Sequence, residues 1–474
     1  MEKKLLFSNL MTAMLAQGVS LMLSFLTSFI LPRFLDVENF SFWQLFTFYV
    51  TYVGVFHFGI NDGVYLKYGG TVFEDMDREL VSGQFKCLFL IQVVIVGFLG
   101  YIAFVVNIES ERKFVLIFTL LYMLVFNLTN YLSYIFQAAN LTKLYSYSVI
   151  LDKVFFMLAI VFLFLSGNKV FQPYVVFYLG GKIASLIYCL YKGKSVIFCR
   201  ISSRERVICE LEDSMKIGIK LTLSSMSSMM ILGVGRFMID SHWGVVVFGK
   251  VSFALSLTTF VLAFVQQIGM VFFPALRRVG EATQIQVYQT MRRFCFFIMP
   301  FIYLLMLPGK WVIAIWLPQY TDSLYYLGIL LPICVFDSKM NMIFNTYFKV
   351  LRKEKTLLQV NMFSLALSCV LSVIGTYIME SYWFVIVGMV ISVVFRSLYS
   401  ELNINQFIGI RATWKPIFEI AFAVIYMLIS YFNVGYLQTF LVLVIIYLAG
   451  IIIYKKEFVE FCLQAKHILT NGSN

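Results

Sequence analysis

Charge is scarce in this chain. Asp, Glu, Lys and Arg make up 13% of its 474 residues, about half of the roughly 25% usual in soluble domains. Proline is rare, at eight residues, and the twenty-eight glycines follow no period, which excludes a collagen-like chain. There are only three histidines, His57, His242 and His467, far apart in sequence. The eight cysteines form no CxxC pair and no His/Cys cluster with metal-ligand spacing, so neither a disulfide framework nor a metal site is expected, and the thiols read as buried or cytosolic. No Walker A loop, HExxH or GxSxG occurs. Nucleotide hydrolysis, zinc proteolysis and serine hydrolysis have no residues to carry them. The chain reads as a non-enzyme without a cofactor.

What it has in abundance is apolar surface. Apolar residues are 61% of the chain and mean hydropathy is +0.86. One compact core could not hide that much, and disorder is excluded for the same reason. The expected class is a polytopic membrane protein. A span needs about 20 mostly apolar residues. Candidates fall at 8–32, 40–66, 84–107, 114–138, 148–166, 172–191, 215–239, 245–275, 291–316, 323–348, 358–379, 382–401, 416–432 and 435–454. The reading is all-α, a transmembrane bundle of about fourteen spans. Segment 291–316 is interrupted by Pro300, Pro308, Gly309 and Lys310.

Net charge is +12, from 37 Lys+Arg against 25 Asp+Glu. With the N-terminus cytosolic and spans alternating, 27 of the cations fall in both tails and the even connections. These include Lys143, Lys153, Lys216, Lys220, Arg277, Arg278, Arg292, Arg293, Lys415 and Lys466. Five fall outside, at Arg33, Arg112, Lys113, Lys169 and Lys310. The positive-inside rule then places both termini in the cytosol. Five more, Lys182, Arg236, Lys250, Lys339 and Arg396, sit at nominal membrane depth.

The longest stretch outside spans, 192–214, carries Arg204, Glu205 and Arg206 and then Val207, Ile208, Leu211 and Met215 at helical spacing. It reads as an amphipathic cytosolic helix on the bilayer surface. It divides the chain into an N-lobe (1–191, spans one to six), this linker (192–214), a C-lobe (215–402, spans seven to twelve), spans thirteen and fourteen (403–454) and a cytosolic tail (455–474). A short echo, Arg33-Phe34-Leu35-Asp36 and Arg236-Phe237-Met238-Ile239-Asp240, supports two related halves.

An ionisable residue at the centre of a span costs about 2.5–3.5 kcal/mol on insertion scales, so it faces the bundle interior or a wet cavity. Asp152, Lys182, Glu401 and Glu419 read as snorkelling residues or structural ion pairs. Asp337 and Lys339 are two apart on one span and so point in different directions. The deeper set leans basic: Arg236, Lys250, Lys339 and Arg396 against Asp62 and Asp337. A basic wet path suits an anionic substrate. Gly59 and Gly63 flank Asn61-Asp62 inside span two, where glycine weakens a helix and permits close approach.

The block Leu31-Pro32-Arg33-Phe34-Leu35-Asp36, then Phe42-Trp43-Gln44-Leu45-Phe46, Gly54 to Phe58 and Asn61 to Leu66, resembles bacterial polysaccharide flippases. Leu331 to Asp337, Asn345 to Lys349 and Lys353-Glu354-Lys355 resemble the same group. These are the Wzx-type O-antigen and capsule unit transporters of the multidrug/oligosaccharidyl-lipid/polysaccharide exporter superfamily. One departure is Asp36-Val37, where the group has a glycine-bearing turn.

The resemblance implies two pseudo-symmetric six-helix lobes plus two extra helices, in a bacterial inner membrane. The implied substrate is a polyprenyl-diphosphate-linked oligosaccharide, flipped from the cytosolic to the periplasmic leaflet by alternating access. Membrane lipids, a polysaccharide polymerase and chain-length proteins are the implied partners, with no nucleic acid. On this reading Arg236, Lys250, Lys339 and Arg396 hold the anionic groups and Asn61 contacts sugar hydroxyls, in a cavity between the lobes. Asp62, His57 and Asp337 are candidates for ion coupling. Alanine at Lys339 or Arg396 is expected to block surface polysaccharide without altering protein level. Rival readings are a cation/multidrug antiporter, a membrane glycosyltransferase and a structural partner of an envelope complex.

Overall fold

The computed structural model describes residues 2–200, 202–276, 280–411, 413–432 and 435–471. Arg277, Arg278 and residues 472–474 lie outside the described residues, as do the side chains of Lys3, Lys4, Lys466 and His467. Every regular element among the described residues is helical. The chain divides into two compact units, Met1–Met229 and Met230–Asn474.

Among the described residues ten helices are long and apolar enough to cross a membrane, and eleven if the bent pair Leu437–Ile453 and Lys455–Leu463 counts as one. The difference from the expected fourteen has three physical sources. The second expected segment is broken, running as Val37–Tyr52, the tight turn Val53–His57 and Ile60–Lys67. The seventh and eighth, within 204–243 and 245–276, are two helices that meet end to end at the non-helical Gly244 (φ 83°, ψ 173°) and so are counted once within Arg204–Leu276. Only glycine reaches that backbone conformation without strain. The thirteenth, Lys415–Tyr431, is just 17 residues long.

The long helix also revises the linker. Residues 204–214 are not a separate surface helix, because they continue without a break into the expected seventh span. At 1.5 Å per residue the part before Gly244 is about 60 Å long, twice the ~30 Å hydrocarbon core. Its apolar side is used within the first unit. Val207 is buried against Gly83, Gln84 donates to the Glu210 carbonyl and to the Ser214 hydroxyl (3.0 Å each), and Glu210 accepts from Lys67 (2.7 Å) and Tyr68 (2.8 Å).

In the first unit, Ile60, Val64, Leu132, Ile135 and Phe136 form the core around the broken helix. The missing glycine at Asp36-Val37 has a local explanation. Leu35 and Asp36 are extended, and the Asp36 carboxylate accepts from the Asn39 backbone N–H at 2.7 Å. An N-cap side chain thus starts the next helix where a glycine turn was anticipated.

In the second unit, Ser323–Val350 is the most enclosed of the long apolar helices among the described residues. It carries both Asp337 and Lys339. Just beyond Lys339 the helix widens through Met340–Phe344, where Asn345 N–H bonds Met340 C=O. Such i→i+5 turns re-aim the side chains beside them. The Lys455–Leu463 helix leaves its predecessor at 86°. Glu460 pairs with Arg293 at 2.7 Å, and Glu457 pairs with Lys415 and, at 3.8 Å, with Arg293.

Candidate functional site

The break in the first unit has a clear construction. Phe58 (φ 51°) and Gly59 (φ 84°) are both left-handed. A helix broken there leaves carbonyls without helical partners, and buried carbonyls must be paired. The Gln92 amide donates to Phe56 C=O at 2.7 Å, and the Asn127 amide donates to Val53 C=O at 3.1 Å and to Gln92 Oε1 at 2.9 Å. Asn61, fully buried, donates to Asn127 C=O at 3.0 Å. Asn61 thus braces the break inside the unit through its amide N–H, while its Oδ1 is buried with no hydrogen-bond partner among the described residues.

Beside the break, His57 Nδ1 accepts from Gly59 N–H at 3.1 Å. That bond puts the ring proton of a neutral imidazole on Nε2. Nε2 lies 3.9 Å from Asp62 Oδ2, which accepts from the Thr222 hydroxyl at 2.5 Å. So two of the three ion-coupling candidates, His57 and Asp62, are brought together. The third, Asp337, is in the other unit, bonded to Arg396.

The backbones here are nearly in contact. A Cβ on Gly218 would sit 2.0 Å from Gly59 C=O, and one on Gly63 would sit 1.9 Å from Ser214 C=O. Glycine is the residue that allows this approach.

In the second unit, Lys339 is bonded to Glu419 at 2.6 Å and to Glu401 at 3.1 Å, and all three side chains are 5% exposed or less. Glu401 also takes Arg292, whose guanidinium donates to the Thr413 hydroxyl at 3.1 Å and lies 5.5 Å from the centre of the Tyr288 ring. Tyr288 in turn donates to Asn405 Oδ1 at 2.9 Å. Two cations and two carboxylates balance, so the cluster is neutral. Arg396 pairs with Asp337. Arg236 donates to the Ser252 hydroxyl at 2.9 and 3.1 Å and lies 5.2 Å from the Phe248 ring centre. Lys250 pairs with Asp322 at 2.6 Å.

Each of the four cations assigned to substrate is thus already engaged by its own unit. For Lys339 the change is largest: it is the centre of a buried ion cluster rather than an open cavity cation. Two cations counted with the cytosolic connections lie within helices. Arg292 is buried in the Lys339 cluster. Lys153 sits halfway along the Thr142–Leu165 helix, beside Asp152, which bonds Lys182 at 3.3 Å. The signal for the cluster was present in Glu401 and Glu419, lone acids in apolar helices. For Arg292 and Lys153 the signal was masked by proximity to a predicted span end.

The fold is that of the MOP-superfamily transporters. It is similar to an inward-facing multidrug resistance MATE family transporter of that superfamily (TM-score 0.60, 14% identity, 82% of this chain and 94% of that one). It is also similar to the lipid II flippase MurJ in an inward closed conformation (TM-score 0.58, 11% identity, 96% and 100%). An outward-facing MATE transporter matches at TM-score 0.52 with 14% identity, covering 84% and 94%. Comparison with curated proteins finds no match. Residues 6–279, more than half of the chain, match the polysaccharide biosynthesis protein family, and the chain belongs to it.

Proposed function

We propose that this protein flips a polyprenyl-diphosphate-linked oligosaccharide from the cytosolic to the periplasmic leaflet of a bacterial inner membrane, by alternating access and with both termini cytosolic. The observation that carries the reading is the conjunction of a polysaccharide biosynthesis family match with a fold shared by a lipid II flippase. Membrane lipids, a polysaccharide polymerase and chain-length proteins are the proposed neighbours. An inside-negative potential favours outward movement of the anionic substrate by about 2.3 kcal/mol per charge per 100 mV.

The test is deletion of the gene. Surface polysaccharide should disappear while its lipid-linked repeat unit accumulates on the cytosolic leaflet. Normal polysaccharide with new sensitivity to cationic drugs would instead establish the multidrug antiporter reading, which the MATE likeness keeps in view.

Proton coupling is proposed at His57 and Asp62. Asp62→Asn keeps the side-chain shape and its acceptor for Thr222 while removing the charge. The variant should fold at the normal level, and transport into proteoliposomes should lose its response to an imposed pH gradient. An unchanged response would remove the pair from the mechanism.

A further inference from the structure

Every cation at membrane depth in the second unit has a carboxylate or hydroxyl partner. The first unit is different. Asp152 and Lys153 are the eleventh and twelfth residues of Thr142–Leu165, and Lys182 is the twelfth of Phe171–Lys192. At 1.5 Å per residue all three are about 15–20 Å from either helix end, close to the middle of a span. The helices approach closely because Gly181 packs on the Asp152 backbone. Lys182 bonds Asp152 at 3.3 Å, and both side chains are about nine-tenths buried. Lys153 has no ion pair among the described residues. Two ammonium groups and one carboxylate therefore lie at this depth, Lys182 takes the carboxylate, and one positive charge is left over.

Both ammonium groups also face aromatic rings. Lys182 Nζ is 5.0 Å from the centre of the Phe126 ring, and Lys153 Nζ is 6.0 Å from that of Tyr178. Phe126, Tyr122 and Tyr178 form one continuous stack, with centroid separations of 5.7 and 5.4 Å and interplanar angles of 27° and 26°. A lysine stands at each end of the stack. Lys153, Phe126 and Tyr178 are each only half-buried. Ring faces beside a cation suit a pyranose: its C–H face covers the aromatic surface and its charged substituent meets the ammonium.

We propose that Lys153, Lys182 and Asp152, with Phe126 and Tyr178, form a subsite for a monoanionic sugar residue, a hexuronate by chemical class. The substrate assignment rests on the transport reading above. The charge count selects the class. One carboxylate neutralises the surplus completely, whereas a diphosphate would leave excess negative charge against Asp152. Asp152 supplies the anion at Lys182, and the ligand's carboxylate takes the position facing Lys153.

The test uses the purified full chain in lipid nanodiscs and the acylation of lysines by an N-hydroxysuccinimide acetate, read by peptide mass spectrometry at Lys153. The probes are glucuronate, glucose and inorganic pyrophosphate at equal concentrations. Glucuronate should slow Lys153 acylation about tenfold, the size of one charge-assisted contact, and glucose should not. Asp152→Asn should extend the protection to pyrophosphate, because it removes the internal competitor. Lys153→Met should abolish the thermal stabilisation that glucuronate gives, and Lys153→Arg should keep it. Equal protection by glucose and glucuronate, better protection by pyrophosphate in the unaltered protein, or a Lys153 inert to the reagent without ligand would each overturn the subsite. None of these outcomes depends on the gene-deletion result. A normal polysaccharide phenotype would overturn the transport reading while leaving binding at Lys153 intact.

Discussion

Lys339→Met is expected to remove most of the folded protein, not merely its transport. Among the described residues Lys339 is the only cation paired with Glu419, and it shares Glu401 with Arg292. Deleting one member of a buried ion cluster leaves its partners uncompensated, at a cost of about 3–5 kcal/mol. That is a large fraction of a typical net stability of about 5–15 kcal/mol. The double variant Lys339→Met, Glu419→Gln removes one charge of each sign and leaves the Arg292–Glu401 pair, so it should recover much of the loss. Fluorescence-detected size-exclusion chromatography and thermal unfolding in detergent measure both. The earlier expectation for alanine at Lys339, lost polysaccharide at normal protein level, is reversed by this geometry. A Lys339→Met protein with unchanged amount and melting temperature but no transport would restore the cavity assignment and remove the structural one. Arg396→Ala should fall in the same direction, less steeply, because Asp337 is 14% exposed and can be hydrated.

Gly218→Ala should be nearly as damaging, through shape alone. The added methyl would meet Gly59 C=O at 2.0 Å and Gly63 N at 2.4 Å, both backbone atoms that cannot rotate away. Relief requires the two helices to move apart by about 1.5 Å. Overpacking of this kind typically costs 1–3 kcal/mol and occasionally more. The separation also breaks the bond between Thr222 and Asp62, so transport should fall further than the amount of protein does. Gly63→Ala, against Ser214 C=O, should behave the same way. Gly100→Ala is the control. Nothing lies within 4 Å of its Cβ position, and alanine there should be neutral or stabilising by about 0.5–1 kcal/mol. If Gly218→Ala matches Gly100→Ala in melting temperature, the close crossing is not as described.

The helical character and most helix positions could be read from the sequence because lipid demands long apolar runs, and such runs are local. The break at Phe58-Gly59 was signalled by Gly59 and Gly63, but its repair by Gln92 and Asn127 was not, since those residues are distant in sequence and look like ordinary polar positions. Asp337 and Lys339 were read correctly as pointing apart, because i,i+2 residues on a helix cannot share a face. Their partners, Arg396 for one and Glu401 with Glu419 for the other, depend on which helices become neighbours. Charge sorting by the positive-inside rule treats each cation as a loop residue when it lies near a predicted span end. That approximation grouped Arg292 and Lys153 with the connections, although both lie within helices that extend past the apolar runs of the sequence.

The Asp152–Lys182 pair bears on how the chain enters the membrane during synthesis. Asp, Lys and Arg at a helix centre each carry an insertion cost of about 2.5–3.5 kcal/mol, so Thr142–Leu165, with two such residues, and Phe171–Lys192, with one, are each penalised as lone segments. The two helices are joined by only five residues, Ser166 to Val170. Delivered together as a hairpin, they bring the carboxylate and the ammonium into lipid as a partner pair rather than as isolated ions. The pair thus favours lateral release of these two helices from the translocon as one unit.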